Sequence, residues 1–263
     1  MVKKARPPMV LALLITIAFP LSAQFWTKKP YTEWKTNEVQ KLLRDSPWAQ
    51  HKTFSQVQIR SLTEAPVPTG LPSNDPLAGT PTGPTQPPIP VGRESNPQIT
   101  YTAQLWSAVP IRQAYVRQAQ LAAGYDNLPP EKKKEFDEKY AQILNAEYSD
   151  VIIVRVFYNT NVQDYDRELA AYWQNQGPAQ KNQIFLSGGR GQVNPDQIIV
   201  PGGAAREIQL IFPRFVNNEP LLSPKDKKLS LEFHSPQIGA LPAERVFLEF
   251  DVKKMMVEDK LVY

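Results

Sequence analysis

The chain of 263 residues contains no cysteine. That absence removes disulfides, thiolate metal ligands, thiol nucleophiles and iron–sulfur clusters together, so a folded body must rest on buried apolar side chains. Histidine is nearly as scarce, with only His51 and His234, far apart in the sequence. No pair at helical spacing exists to build a zinc-type site, and no metal ligand set and no cofactor are expected. Glycine is sparse, 12 residues against 26 prolines, and no Gly-x-Ser-x-Gly elbow or P-loop occurs. The apolar run Met9–Leu21 is 13 residues long, short of the roughly 20 that span a bilayer.

What is present begins with that run. Lys3, Lys4 and Arg6 precede it, and Ser22-Ala23 follow it before Gln24. Basic, apolar, then small is the order of a secretory signal, so residues 1–23 are expected to be removed after Ala23, leaving no stable transmembrane anchor. The mature protein is then expected in the periplasm, the outer envelope or the extracellular space. Removal also takes three positive charges from a formal net charge of +4 and leaves about +1. No basic patch survives to favour nucleic acid.

Composition divides the remainder. Residues 24–63 form an aromatic amino-terminal segment with a short helix, which Asn37 can cap with Gln40 reaching back, and which ends at Pro47. A first strand is expected over Thr53–Leu62, where Val57 and Ile59 alternate with polar neighbours. Residues 64–98 carry ten prolines with Gly, Thr, Ser and Gln. Such a segment buries too little to offset its ordering entropy, so an extended connector is expected, either a spacer or a docking segment for a proline-reading partner. Residues 99–263 are the main domain.

Within it, Ile99, Tyr101, Ala103 and Leu105 share one strand face. Helices are expected from Pro110 to Ala123, from Glu131 to Glu147 with Phe136, Tyr140, Ile143 and Leu144 as its apolar stripe, and through Tyr165, Leu169, Tyr172 and Trp173 to Gly177-Pro178. Val151–Tyr158 reads as an apolar strand. Short strands follow over Gln183–Leu186, Ile198–Val200, Glu207–Phe212, Leu229–Phe233 and Val246–Val252. Glu258-Asp259 is placed to turn Leu261–Tyr263 back on Met255–Val257. The pattern predicts an α+β fold with a mainly antiparallel sheet, about three central helices and a β-rich carboxyl-terminal part.

Candidate chemistry is thin. Ser187-Gly188-Gly189-Arg190-Gly191 and Gly202-Gly203 read as turns, since neither opens a helix that could hold a phosphate. Ser230, Glu232 and His234 share one strand face by their spacing of two, a grouping that could serve acyl transfer. With no nucleophile-elbow motif beside it, His234 reads more simply as a plain solvent-facing residue. A secreted hydrolase drawing on Glu232, His234 and Asp251 is one alternative. Asp164, Asp166 and Glu168 lack the glycine of a calcium loop and fit better as negative charge at a helix N-terminus.

The most distinctive feature is the density of aromatic residues near the expected mature start: Phe25, Trp26, Tyr31, Trp34 and Trp48. They must either clasp the body or contact something else, and Trp26, Tyr31, Trp34 and Trp48 are the candidate interaction residues. The stretch reads Phe25-Trp26, Lys28-Lys29-Pro30-Tyr31, Trp34, Glu38-Val39, Lys41-Leu42-Leu43 and Asp45-Ser46-Pro47-Trp48-Ala49. It resembles a family of uncharacterised exported proteins from acidobacterial genomes, over about 25 residues and more loosely over Leu105–Ala114. The resemblance implies export and carries over no catalytic residue. The expectation is a non-enzymatic envelope protein acting on an envelope protein or surface component. A small-ligand or carbohydrate binder is the second alternative.

Overall fold

A computed structural model describes residues 25–55, 96–202 and 205–263. The expected signal, the Pro-rich stretch and the part of the first strand that carries Val57 and Ile59 lie outside the described residues, as does Gly203.

The first helix, α1 (Thr36–Arg44), buries Val39, Leu42 and Leu43 on one face. Its cap differs from the expected one. The Glu38 carboxylate accepts the Lys35 backbone N–H at 2.8 Å, so the box is formed by Lys35 and Glu38 instead of Asn37 and Gln40. Asn37 is exposed, and the helix starts two residues too early for it to cap.

Strand β1 (Ala49–Ser55) pairs antiparallel with β2 (Gln98–Leu105), in register from Ala49 opposite Gln104 to Ser55 opposite Gln98. The first strand thus starts earlier than its apolar alternation indicated, because pairing begins where the chain leaves α1. The aromatic segment and the main domain therefore share one sheet and one core, with the Pro-rich stretch falling in the sequence between two paired strands.

After β2, helix α2 (Val109–Ala122) carries Pro110 in its first turn, where the missing N–H costs nothing. Helix α3 (Pro130–Asn145) follows, and then β3 (Val151–Thr160) and α4 (Gln163–Gln176). The α3 stripe of Phe136, Tyr140, Ile143 and Leu144 is half-buried, and no residue of that helix is fully buried. Helix α4 ends at Gln176, just before Gly177-Pro178 as expected, and the chain continues from there as a 3₁₀ turn over Gly177–Gln183.

The remaining chain is β structure: β4 (Phe185–Gly188), β5 (Gly191–Val193), β6 (Gln197–Ile199), β7 (Glu207–Pro213), β8 (Phe215–Val216), β9 (Glu219–Pro220), β10 (Lys228–Ser235), β11 (Glu244–Asp251), β12 (Met256–Val257) and β13 (Lys260–Leu261). Both two-residue turns in the small hairpins have positive φ at both positions, Asn217-Asn218 and Glu258-Asp259. That is the geometry whose twist matches paired strands.

Two antiparallel sheets result, ordered β1-β2-β3-β7-β6 and β11-β10-β4-β5. The first buries Ile99, Tyr101, Ala103 and Leu105 with Ile152, Val154, Val156 and Tyr158, and the second buries Leu229, Leu231 and Phe233 with Val246, Leu248 and Phe250. These rows face each other. Tyr101 and Phe233 meet edge to face with centroids 5.2 Å apart, and Trp173 of α4 reaches the same Phe233 at 6.1 Å. The fold is α+β with antiparallel sheets, and alternation in the strands leaves each sheet an outer face as well as the shared inner one.

Candidate functional site

The two outer faces differ in kind. On the second sheet, Ser230, Glu232 and His234 do share a face, and it is the outer one, since Leu231, Phe233 and Ser235 between them are buried. Arg245 and Phe247 lie beside them on β11, Phe247 being 45% exposed. No hydrogen bond joins Ser230, Glu232 and His234 among the described residues. Instead the Glu232 carboxylate accepts two bonds from Arg245, at 2.6 and 2.5 Å. That bond outweighs the effect of burial and keeps the carboxyl below its usual range, so it stays ionised and occupied. Asp251 stands opposite Lys228 while His234 stands opposite Arg245. Six residues of strand separate them, about 20 Å. The structure does not bring the proposed hydrolase residues together.

Ser235, adjacent to His234, points inward and shares a 2.8 Å hydrogen bond with the Tyr101 hydroxyl. Asp164 pairs with Arg167 on the surface. Asp166 is buried, accepting the Thr160 backbone N–H at 2.8 Å and pairing with Arg206 at 2.7 Å, which ties the start of α4 to the end of β3. The Gly-rich segment is the tight β4–β5 turn. A Cβ at Gly189 would lie 2.1 Å from the Asp226 carboxylate, so the glycine there serves close packing. No group of three or more metal-ligating side chains is assembled among the described residues.

The four aromatic candidates separate into two kinds. Trp34 and Trp48 are core residues, 1% and 0% exposed, and a contact surface cannot include them. The Trp48 indole N–H donates to the Val262 carbonyl at 2.7 Å. Trp26 and Tyr31 are half-buried and packed on that core, Trp26 edge-on to Trp48 and Tyr31 edge-on to Trp34. Arg117 fastens this clasp: its Nε donates to the Trp34 carbonyl at 3.0 Å while its two terminal nitrogens grip Asp126.

The outer face of the first sheet is chemically mixed. Register places His51, Thr102, Phe157 and Glu207 in one row across four strands, and Ala49, Gln104, Arg155, Gln209 and Ile199 in the next. Helix α2 crosses over this face and leaves beneath it a groove of about 440 Å³, lined by Thr100, Thr102, Gln104, Tyr115, Gln118 and Phe157, with Arg44 and Asn159 at its margins. That volume lies within the ~300–1,000 Å³ typical of ligand sites.

An ion pair anchors the groove wall. Arg155 pairs with Glu207, with side chains 13% and 11% exposed, and Gln209 donates to the same carboxylate at 3.3 Å. The guanidinium lies over the rings of Trp106, Phe157 and Tyr115, at 4.4, 5.0 and 5.5 Å. The two groove aromatics are thus held by a charge that is itself tied down, and their positions are fixed before any ligand arrives. Gln104 is spent on the Leu43 carbonyl and Thr100 on Thr53.

Sequence reasoning passed over this site. Its one signal was Arg155 inside the otherwise apolar run Val151–Tyr158, together with the polar alternation Thr100, Thr102, Gln104 opposite the buried face of β2. Comparison with protein-family models, with curated proteins and with solved structures returns no match to this chain.

Proposed function

We propose that this is an exported, non-enzymatic binding protein of the bacterial envelope, and that it makes its functional contact through the groove on the outer face of the first sheet. The observation that carries the reading is the Arg155–Glu207 pair with its three stacked rings. A largely buried ion pair costs desolvation that packing alone would not require, and here it holds two aromatic side chains of an open groove in place. The basic, apolar, small order of residues 1–23 supports export.

The test is to place a long charged side chain in the groove with Thr102→Arg, and to compare retention of native envelope fractions by wild type, Thr102→Arg and His234→Ala. Saturable retention by wild type and His234→Ala, lost in Thr102→Arg at unchanged thermal stability, is the expected result. Equal retention by all three would place the contact elsewhere.

A further inference from the structure

We infer that the groove takes an uncharged, hydroxyl-rich ligand, a saccharide chain, with Tyr115 and Phe157 as its apolar contacts and Thr102 and Gln118 as its hydrogen-bonding side chains. This rests on the groove being the functional contact. The lining includes no carboxylate and no lysine; its one charged side chain, Arg44, is exposed at the margin. A phosphate-bearing or polyanionic ligand would need several cations there, and a cationic one would need an acid. Glu207 stands in the next position along the Phe157 row, yet its carboxylate is consumed by Arg155 and Gln209.

Hydrogen-bonding capacity points the same way. The side chains of Thr102, Tyr115 and Gln118 have no hydrogen-bond partner among the described residues, although Thr102 and Tyr115 are half-buried. Two hydroxyls and a carboxamide each donate and accept, which matches the paired donor and acceptor character of sugar hydroxyls. Rings supply area for the C–H faces of a pyranose, and they are locked by Arg155, so little ordering entropy is lost on binding. A purely apolar ligand would strand these polar groups. An extended peptide draws its affinity from unpaired backbone at a sheet edge, whereas β2 and β3 in the groove floor are paired on both sides.

Neutral tetrasaccharides of the chitin, cellulose and starch series, with tetragalacturonate as a charged comparison, test this by calorimetric titration of the full mature chain. At least one neutral tetrasaccharide is expected to bind saturably with Kd about 1 mM or tighter. Tyr115→Ala should weaken it roughly tenfold or more, equivalent to about 1.4 kcal/mol. Gln118→Ala, at an exposed position with no fold to lose, should weaken it several-fold. Binding of tetragalacturonate alone, or neutral binding unchanged in both variants, overturns the inference. If no saccharide binds but Thr102→Arg still abolishes envelope retention, the groove stands and the ligand class falls. If Thr102→Arg also has no effect, both fall.

Discussion

The hydroxyl of Tyr101 on β2 and the hydroxyl of Ser235 on β10 lie 2.8 Å apart, joining the two sheets through their shared interior. Tyr101 is fully buried and Ser235 is 2% exposed, so each satisfies a group that water cannot reach. Burial pushes the Tyr101 phenol well above its ordinary pKa, despite the bond from Ser235 acting the other way, and it stays protonated wherever the fold persists.

Tyr101→Phe should lower stability by about 1 kcal/mol, the net worth of one neutral hydrogen bond, leaving Ser235 with only its long 3.4 Å bond to the Pro236 carbonyl. Ser235→Ala should cost a similar amount. The double variant should cost clearly less than both together, because the second change removes a group that has already lost its partner across the sheets. Urea unfolding of the four proteins checks this, and strict additivity would show that the two hydroxyls act independently.

Breaking the groove pair should cost more. Arg155→Met leaves Glu207 as a poorly hydrated carboxylate, with an expected loss of about 3 kcal/mol. Arg155→Met with Glu207→Gln should recover much of that loss, since the uncompensated charge is gone. Denaturant midpoints measure both. A single variant as stable as wild type would mean that the pair adds no constraint to the rings around it.

Arg117 holds the amino-terminal aromatics through the Trp34 carbonyl and pairs with Asp126. Arg117→Gln should loosen Phe25–Trp34 before it unfolds the sheets. Backbone amides near Trp34 should exchange faster with solvent than those of β3, and tryptophan emission should move to the red. Uniform acceleration across the chain would indicate that the clasp and the sandwich open as one unit.

Three carboxyls predict the response to acid. Glu232 is held below its usual range by Arg245 and Asp126 by Arg117. For Glu38, burial pushes upward but the Lys29 ammonium and the Lys35 N–H prevail. A carboxyl whose folded pKa is depressed contributes stability above its unfolded pKa, about 4, and loses it as pH falls through the folded value. The melting temperature should therefore hold steady from pH 7 to about 5 and decline below about 4. Salt should blunt the Glu232 contribution, since Arg245 is exposed. A melting temperature unchanged down to pH 3 would show these pairs to be energetically idle.

Much of the fold could be read in the sequence because its signals are local. Pro110 marked the start of α2, alternation in Ile99–Leu105 gave the buried face of β2, and Glu258-Asp259 gave the last turn. What failed depended on pairing partners. The first strand starts at Ala49, earlier than its apolar alternation indicated, because Ala49 already stands opposite Gln104 of β2. The α3 stripe looked like a core stripe, yet it is covered only in part, by α2 and by Tyr125, whose ring meets Phe136 edge-on at 5.2 Å. The site was hardest to read, because Thr102, Tyr115, Phe157 and Glu207 come from four separate elements and meet only through register. Ser230, Glu232 and His234 showed the reverse: correctly placed on one face, but on one where Arg245 already binds the only carboxylate of the three.

The most direct measurement is a map of backbone amide shifts as the full chain is titrated with a saccharide or envelope fraction that it retains. The account predicts that perturbed residues cluster at Thr100, Thr102, Tyr115, Gln118 and Phe157, with Ser230 to His234 silent. Perturbation centred on Glu232, His234 and Phe247, with the groove unchanged, would contradict it.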